Sequence, residues 1–453
     1  MITLTLNEIS EILKAELVGT SVPISGLSID TRTLSRGDIY LAIKGEQFDG
    51  HDFIAQAQQQ GAGALIVSKK GDTDLPQLVV KDTRIALAEL AGAIRNKLQL
   101  KVCAITGSNG KTTVKEMIAT ILAVNSQVLF TQGNFNNDIG VPLTLLRLKQ
   151  QQYAVIEMGA NHRGEIAYTS HYARPDVAVI TNVGPAHIEG FGSIEGVANA
   201  KAEIIQSLDE DGIAILNADD HFYGLWKGLA EERKVLSFGL KQAADISAEN
   251  IITQVQDQQF KTCFDLVADG NKVPVELVLA GEHNVKNALA ASAACLALGI
   301  DLKQIQTGLK RVKVVNGRLQ LFASDSGIKL INDTYNANPA SLAVALEVLK
   351  QYPGEKWLAL GAFGELGADS ERIHSEMGRD IKNAGVQRLF ATGAMAENTV
   401  QAFGVGAEYF AAQDDLIKSV KEQITPEQTL LVKGSRAQKM EVVVNALLNV
   451  TGN

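Results

Sequence analysis

The chain has few cysteines. Cys103, Cys263 and Cys295 are the three among 453 residues, and they lie far apart with no C-x-x-C pair. A disulfide framework and a cysteine-based zinc site are therefore not expected, and a reducing cytoplasm is the expected setting. Positive charge is in deficit: 42 Lys and Arg stand against 51 Asp and Glu, a formal net charge of -9. That balance argues against nucleic acid as a partner. An anionic small substrate would need its own local cluster of donors. Long hydrophobic runs are lacking too. The longest small-apolar stretch, 288–300, is too short to span a bilayer and reads as a buried helix. Met1-Ile2-Thr3-Leu4 lacks the basic stretch and apolar core of a signal peptide, so no leader is expected. Internal repeats and low-complexity tracts are not seen.

What is present suits an ordinary globular protein: 46% hydrophobic and 21% charged residues. At roughly 100–200 residues per domain the length allows two to four domains. Three segments are expected, 1–82, 83–313 and 314–453, the last boundary placed at the break around Val315-Asn316-Gly317. The first carries a helix pattern at 6–17, strand-like runs at 39–43 and 64–67, and a polar, glycine-rich loop at 44–52 between them. The second opens with a helix pattern at 85–98. Apolar runs at 102–106, 154–158, 177–181 and 213–216 then read as buried parallel strands separated by helices. The third repeats the alternation, with runs at 329–331, 357–360, 388–391 and 429–432. The expected fold class is α/β, with a small α/β first segment, a doubly wound sheet in the second and a dinucleotide-fold-like third.

The strongest local signal is Val102-Cys103-Ala104-Ile105-Thr106-Gly107-Ser108-Asn109-Gly110-Lys111-Thr112-Thr113. A buried strand enters a glycine turn and a helix follows, supported by apolar Val114, Met117, Ile118, Ile121 and Leu122. Gly107 and Gly110 let the backbone turn tightly and aim N–H groups at phosphate. The helix N-terminus adds partial positive charge. Lys111 is placed to reach the outer phosphates and Thr112 to bind Mg²⁺. The usual first glycine of such loops is replaced by Ile105, so this is a shortened variant; a plain strand–turn–helix with a chance Gly-Lys-Thr is the alternative. Glu157 ends a predicted buried strand, where a carboxylate serves either as a Mg²⁺ ligand or as a solvated strand end. His187 alone reads as a loop histidine, and Lys201 as an exposed helix lysine. His283, Asn284 and Asn287 open a small-residue helix. Their side chains suit adenine, and Asn284 equally suits a helix cap.

Thr106-Gly-Ser-Asn-Gly-Lys-Thr-Thr113 resembles the ATP loop of the Mur ligase family, and the resemblance runs along nearly the whole chain. It includes Gly133-Asn-Phe-Asn-Asn-Asp-Ile-Gly140, Glu157-Met-Gly-Ala-Asn-His-Arg-Gly-Glu165, Thr181-Asn-Val-Gly-Pro-Ala-His-Ile-Glu-Gly-Phe-Gly192, Lys201-Ala-Glu-Ile204, Gly281-Glu-His-Asn-Val-Lys-Asn287, Gly317-Arg318, Asn332-Asp-Thr-Tyr-Asn-Ala-Asn-Pro339 and Leu431-Val-Lys-Gly-Ser-Arg436. The resemblance implies ATP, two Mg²⁺ ions, and a ligase working in the cytoplasm, with a monomer expected. Within the family the 134–138 and 335–339 motifs look like those of the member that joins D-alanyl-D-alanine to a UDP-N-acetylmuramoyl tripeptide, the step that completes the pentapeptide precursor of peptidoglycan. Another Mur-type ligase adding a single amino acid, or a nucleotide-switched regulator, are the alternatives. Whether the third residue of the tripeptide is meso-diaminopimelate or L-lysine stays open.

Residue by residue, the resemblance implies Gly107, Ser108, Asn109, Gly110, Lys111, Thr112 and Thr113 at the phosphates, with His283, Asn284 and Asn287 at adenine. It implies Thr112, Glu157, His187 and Lys201 at the metals, Lys201 being carbamylated. Arg318 and Asp333 are the nucleotide contacts brought by the third segment, and Lys111, Lys201, His187 and Arg318 are the catalytic set. Ser28-Ile-Asp-Thr-Arg32 and Lys44-Gly-Glu-Gln-Phe-Asp-Gly-His51 resemble the UDP-binding region, which suggests Thr31, Arg32, Lys44, Gly45, Asp49 and His51. Asn134, Asn136, Asn137 and Asp138 are further substrate candidates. Tyr335, Asn336, Asn338, Lys433, Ser435 and Arg436 lie past predicted strands, where ligands of open α/β sheets bind, and are candidates for the dipeptide. Many relatives have Gly-Asp-Met where this chain has Gly361-Ala362-Phe363, so no role is assigned there.

Overall fold

The structure is a computed structural model that describes residues 1–184, 188–256, 259–324, 327–352 and 354–448. His187 lies outside the described residues. The described residues form three large sheets and a two-stranded one, in which Leu4–Thr5 pairs antiparallel with Pro23–Ile24. The first large sheet has five strands, in the order Glu16–Val18, Gln77–Val79, Ala64–Val67, Ile39–Leu41 and Leu27–Ser28, parallel except for the first pair. The helix expected over 6–17 stops at Leu13. Thr5 and Glu8 form a capping box at its start, and Lys14 turns left-handed at φ 49 to close its end. Glu16–Val18 then pairs with Gln77–Val79. Sheet pairing thus overrides the continued apolar spacing of Leu17.

The second sheet has nine strands. Its parallel part begins with six strands, in the order Val128–Phe130, Tyr153–Glu157, Lys101–Thr106, Val177–Ile180, Ile213–Asn217 and Lys234–Phe238, the last of which Ile246–Gln256 also joins in parallel. Both faces are covered, which is why these strands read as continuous apolar runs. Val102 and Ala104 face one core with helices Thr83–Lys97, Gly140–Leu145, Glu165–Ala173 and Ile194–Gln206. Cys103 and Ile105 face the other, under Lys111–Leu122 and Glu282–Ala297. The first core also takes in Leu6, Ile39, Ile66 and Leu78, so the first two sheets share it. Ile246–Gln256, Gln259–Ala268 and Asn271–Leu277 extend the sheet and pair antiparallel with one another. This extension has no counterpart in the expected pattern, because its exposed, polar outer strand breaks the apolar-run signal.

The third sheet runs Gln320–Ala323, Lys329–Asp333, Gln428–Lys433, Glu355–Gly361, Arg388–Thr392 and Ala407–Phe410, parallel after the first antiparallel pair. All four strands expected in this segment fall within it. Among the described residues no helix is long and apolar enough to cross a membrane.

Candidate active site

Lys101–Thr106 lies between Tyr153–Glu157 and Val177–Ile180, so the chain leaves it in both directions across the sheet. The loop at its carboxyl end therefore sits at a topological switch point, where ligands bind in open α/β sheets. Gly107 and Gly110 adopt φ of +150 and +84. A Cβ on Gly107 would lie 1.8 Å from Thr181 Oγ1, and one on Gly110 would lie 2.4 Å from Asn287 Oδ1. Space as well as backbone angle requires glycine at both. The neighbouring strand end braces the loop. The Ser108 N–H donates to Asn182 O at 2.9 Å, and the Asn109 N–H donates to Asn182 Oδ1 at 2.9 Å. Ser108 Oγ accepts from the Gly184 N–H at 2.9 Å. The first residue of the following helix, Lys111, folds back to donate to Gly107 O at 2.6 Å. Burial pushes its ammonium below the usual lysine range; Glu157 opposes that shift and Arg318 adds to it.

Glu157 is 2% exposed. Its N–H donates to Thr131 Oγ1 at 3.0 Å and its Oε1 accepts from Asn136 Nδ2 at 2.9 Å, while its buried Oε2 has no partner. A buried carboxylate oxygen left without a donor suits a cation. Lys201 is also 2% exposed, which overturns the bland expectation of an exposed helix lysine. Burial, with the charge of Lys111 adding to it, pushes its ammonium well below the usual range. Lys115 and Thr131 carried no expected role. Lys115 is fully buried, donates to Thr131 O at 2.8 Å and pairs with Glu116 at 3.0 Å, so it holds the segment that braces Glu157. A lysine on the apolar side of an amphipathic helix was the available signal. Asn137 Oδ1 accepts from the Gly140 N–H at 2.8 Å, and Asp138 pairs with Arg84 at 2.9 Å, so both are engaged locally. Of the four substrate candidates between 134 and 138, it is Asn136 that meets Glu157.

At the start of Glu282–Ala297 the Asn284 amide donates to Ala280 O at 2.8 Å, and its Oδ1 accepts from Asn287 at 3.1 Å. The helix cap is Gly281, with no side-chain cap bond, so Asn284 lies within the first turn and is not the cap. Asn287 abuts Gly110, which puts it at the phosphate loop and away from a purely adenine-facing place. Burial holds the His283 imidazole down at about 4, so it is neutral near pH 7. Behind this helix, Asp219 accepts from the N–H groups of Leu240, Lys241 and Gln242 at 2.8–3.0 Å and pairs with Lys286 at 3.0 Å. Burial alone would raise its pKa, but these donors outweigh it and hold the carboxyl at about 2. Its folded value lies below its ordinary one, so its contribution is present above about pH 4 and is lost as pH falls toward 2. Asp219→Asn is expected to lower urea stability by about 1–2 kcal/mol at pH 7 and by much less near pH 2. An equal loss at both pH values would refute the assignment.

The third sheet brings Arg318 to the loop. Its guanidinium stacks 4.2 Å from the Tyr335 ring centre and lies 3.5 Å from Thr112 Oγ1. Lys433 is buried and pairs with Asp333 at 2.5 Å. Asp333 Oδ1 accepts from the Leu319 N–H at 3.2 Å, so both carboxylate oxygens are already bonded within the protein. Asn336 accepts from the Lys433 ammonium and the Arg436 N–H, each at 3.3 Å. Ser435 Oγ donates to Ala362 O at 2.7 Å. The Phe363 N–H donates to buried His374 at 3.2 Å. The unassigned 361–363 stretch therefore abuts Ser435. Asn338 caps Pro339–Gln351 and donates to Asn109 Oδ1 at 2.9 Å, so in this arrangement its side chain is not free for a dipeptide.

In the first sheet's loops, Arg32 is mostly exposed and paired with Asp30 at 2.7 Å, while Thr31 is buried. The backbones of Lys44 and Asp49 pair in an antiparallel β-bridge, and the Gly45 N–H donates to Phe48 O at 2.9 Å. His51 Nε2 accepts from the Ser68 N–H at 3.0 Å, which leaves Nδ1–H to donate to Asp49 at 2.6 Å. This geometry orders the loop and leaves Arg32 and Lys44 as exposed cations.

A glycine loop at a switch point, an orphaned buried carboxylate oxygen beside it and a cation delivered by another α/β unit define an ATP-binding enzyme assembled from three α/β units. Comparison with known proteins makes this specific. The Mur ligase middle domain matches residues 105–295, the Mur ligase glutamate ligase domain 317–436, and the Mur ligase family catalytic domain 23–99. The chain belongs to the Mur ligase family. It is 46% identical over 451 residues to the UDP-N-acetylmuramoyl-tripeptide--D-alanyl-D-alanine ligase of Escherichia coli K12, covering 99% of each chain. It is 36% identical to that of Bacillus subtilis 168, again covering 99% of each. A crystal structure of MurF from Acinetobacter baumannii superposes with a TM-score of 0.92 at 38% identity, covering 98% of this chain and 99% of that one. MurF from Thermotoga maritima in complex with ADP gives 0.83 at 29% identity, covering 93% and 97%.

Proposed function

We propose that this chain joins D-alanyl-D-alanine to a UDP-N-acetylmuramoyl tripeptide, converting ATP to ADP and phosphate and giving the pentapeptide precursor of peptidoglycan. The observation that carries this reading is the end-to-end likeness to ligases of that name, 46% identical over 99% of both chains.

A carboxylate does not condense with an amine at neutral pH, because its oxygen is a poor leaving group. Transfer of the γ-phosphoryl group to the tripeptide carboxylate makes an acyl phosphate and releases ADP. The dipeptide amine attacks its carbonyl carbon, the tetrahedral adduct expels phosphate, and the amide remains. Phosphoryl transfer depends mostly on positioning and charge neutralisation. Lys111 supplies charge at the γ-phosphate once nucleotide replaces Gly107 O as its partner. Arg318 adds a second cation from the third unit. Asn284 and Asn287, in the first turns of the helix that abuts Gly110, suit the nucleotide, and Arg32 and Lys44 in the loops of the first sheet suit the diphosphate of the acceptor. Lys433, Ser435, Arg436 and Asn336, past the carboxyl ends of the third sheet, suit the dipeptide. A shut cleft keeps water from the acyl phosphate.

Among the described residues no group of three or more His, Cys, Asp or Glu side chains is placed to hold a metal. Two Mg²⁺ ions would then lean on Glu157, Thr112, His187 and the phosphates, and would supply charge neutralisation at the triphosphate. The unpartnered Glu157 Oε2 fits that role. Lys201 fits as a carbamate: burial and Lys111 favour its neutral amine, which adds carbon dioxide and releases a proton to become an anion.

The test is mass spectrometry of the product made from ATP, Mg²⁺, D-alanyl-D-alanine and each of the two tripeptides, meso-diaminopimelate and L-lysine. A pentapeptide mass with stoichiometric ADP is expected. Hydroxylamine in place of the dipeptide should trap a hydroxamate of the tripeptide. AMP and pyrophosphate in place of ADP would refute the acyl phosphate, and ATP hydrolysis indifferent to both small substrates would refute the ligase.

A further inference from the structure

The main chain of Asn109 is committed to its own sheet. Its N–H donates to Asn182 Oδ1 at 2.9 Å, and its carbonyl accepts from Thr181 Oγ1 at 2.6 Å and Asn182 Nδ2 at 3.0 Å. Its side chain points elsewhere, accepting from Asn338 Nδ2 at 2.9 Å across 229 residues of sequence. Asn338 is the N-cap of Pro339–Gln351, and its Oδ1 accepts from the Ser341 N–H at 2.8 Å. That N–H can only donate, which fixes the amide with Nδ2 toward Asn109. One half of the carboxamide therefore holds the helix and the other half holds the phosphate loop. Aspartate lacks the donor, and serine caps a helix but is too short to reach the loop.

A second tie runs in parallel. Tyr335, three residues earlier, carries Arg318 on its ring, and Arg318 reaches Thr112 in the first turn after the loop. Between them, Asn336 accepts from Lys433 and from the Arg436 N–H. The turn 335–338 thus touches the phosphate loop on one side and the proposed dipeptide groups on the other.

We infer that the Asn109–Asn338 hydrogen bond is a latch through which the phosphate loop positions the third unit for the dipeptide, Asn338 being a positioning residue and not a dipeptide ligand. The inference rests on the ligase reading above. Filling the loop moves Asn109 with it. Asn338 carries that displacement into the first turn of its helix and, through Asn336, to Lys433 and Arg436. Nucleotide and dipeptide are then coupled sites, and the coupling is reciprocal.

A double-mutant cycle on the full chain tests it, with Asn338→Ser, Asn109→Ser and the pair. Steady-state ligation is read for kcat and for both KM values, and nucleotide affinity is read by calorimetry with a non-hydrolysable ATP analogue and Mg²⁺, with and without D-alanyl-D-alanine. Asn338→Ser keeps the cap, so its Tm should stay at the wild-type value. Each single variant should raise the dipeptide KM about tenfold, the scale of one hydrogen bond. The double variant should be no worse than either, and the effect of dipeptide on analogue affinity should shrink in all three. A wild-type dipeptide KM in Asn338→Ser, or losses that multiply in the double variant, would overturn the latch. So would an elevated KM in Asn338→Ser alone, which would mark Asn338 as a direct dipeptide ligand. Absence of pentapeptide from the wild-type protein would instead sink the ligase reading, so the two failures are separable.

Discussion

Replacing Lys111 with alanine is expected to lower kcat/KM for ligation by about 10³-fold, close to 4 kcal/mol of transition-state stabilisation. The ammonium is the first residue after the glycine turn and shares its surroundings with Glu157 and Arg318. It is held by nothing stronger than the loop's own carbonyl, at 2.6 Å, so it is free to change partner when phosphate arrives. Alanine is a good helix former, so Lys111–Leu122 should persist and Tm should change little. The control matters, because loss of activity in an unfolded variant says nothing about phosphate. A folded Lys111→Ala enzyme within tenfold of wild type would remove Lys111 from the nucleotide site.

Lys201→Ala should cost about 10²–10³-fold in kcat. Two cations at a triphosphate need anionic oxygens, and the described candidates offer one carboxylate, Glu157. An ammonium at Lys201 would repel a metal in a site of low effective dielectric, while a carbamate changes the local charge by two units in its favour. Formate or acetate at high concentration should restore part of the activity of the alanine variant by entering the vacated space. Lys201→Arg should resist rescue, since it keeps a cation and fills the space. Because Lys201 is buried, the alanine variant also loses packing, and its Tm will fall. Rescue by a small acid separates the missing anion from the missing bulk. An alanine variant with near-normal turnover and no added acid would reduce Lys201 to a core residue.

The parallel strands were legible because burial on both faces writes apolar runs into the sequence. Lys329–Asp333, Glu355–Gly361, Arg388–Thr392 and Gln428–Lys433 each contain their expected run. The Ile246–Gln256 strand was not legible: its outer half is mostly exposed, polar residues surround an Ile252 that is itself 61% exposed, and it reads as loop. The end of the first helix was misplaced because Leu17 fits the helical spacing, while the pairing of Glu16–Val18 with Gln77–Val79 depends on a strand sixty residues away. At the site, Thr131 and Lys115 escaped notice since neither belongs to a recognisable string, and their effect on Glu157 passes through backbone groups.

By itself the sequence determined the strand, glycine turn and helix of the phosphate loop. Those depend on local backbone freedom at Gly107 and Gly110 and on the apolar spacing of the helix that follows. Its ordered motifs also determined the family. Tertiary structure alone decided which groups meet. It set Lys433 against Asp333 across 100 residues of chain, buried Lys201, left Glu157 Oε2 without a donor, and turned the Asn338 amide toward Asn109. The physical reason is that local periodicity records which side of an element is buried. The partner of a buried polar atom is fixed only when separate sheets pack together and every donor must find an acceptor.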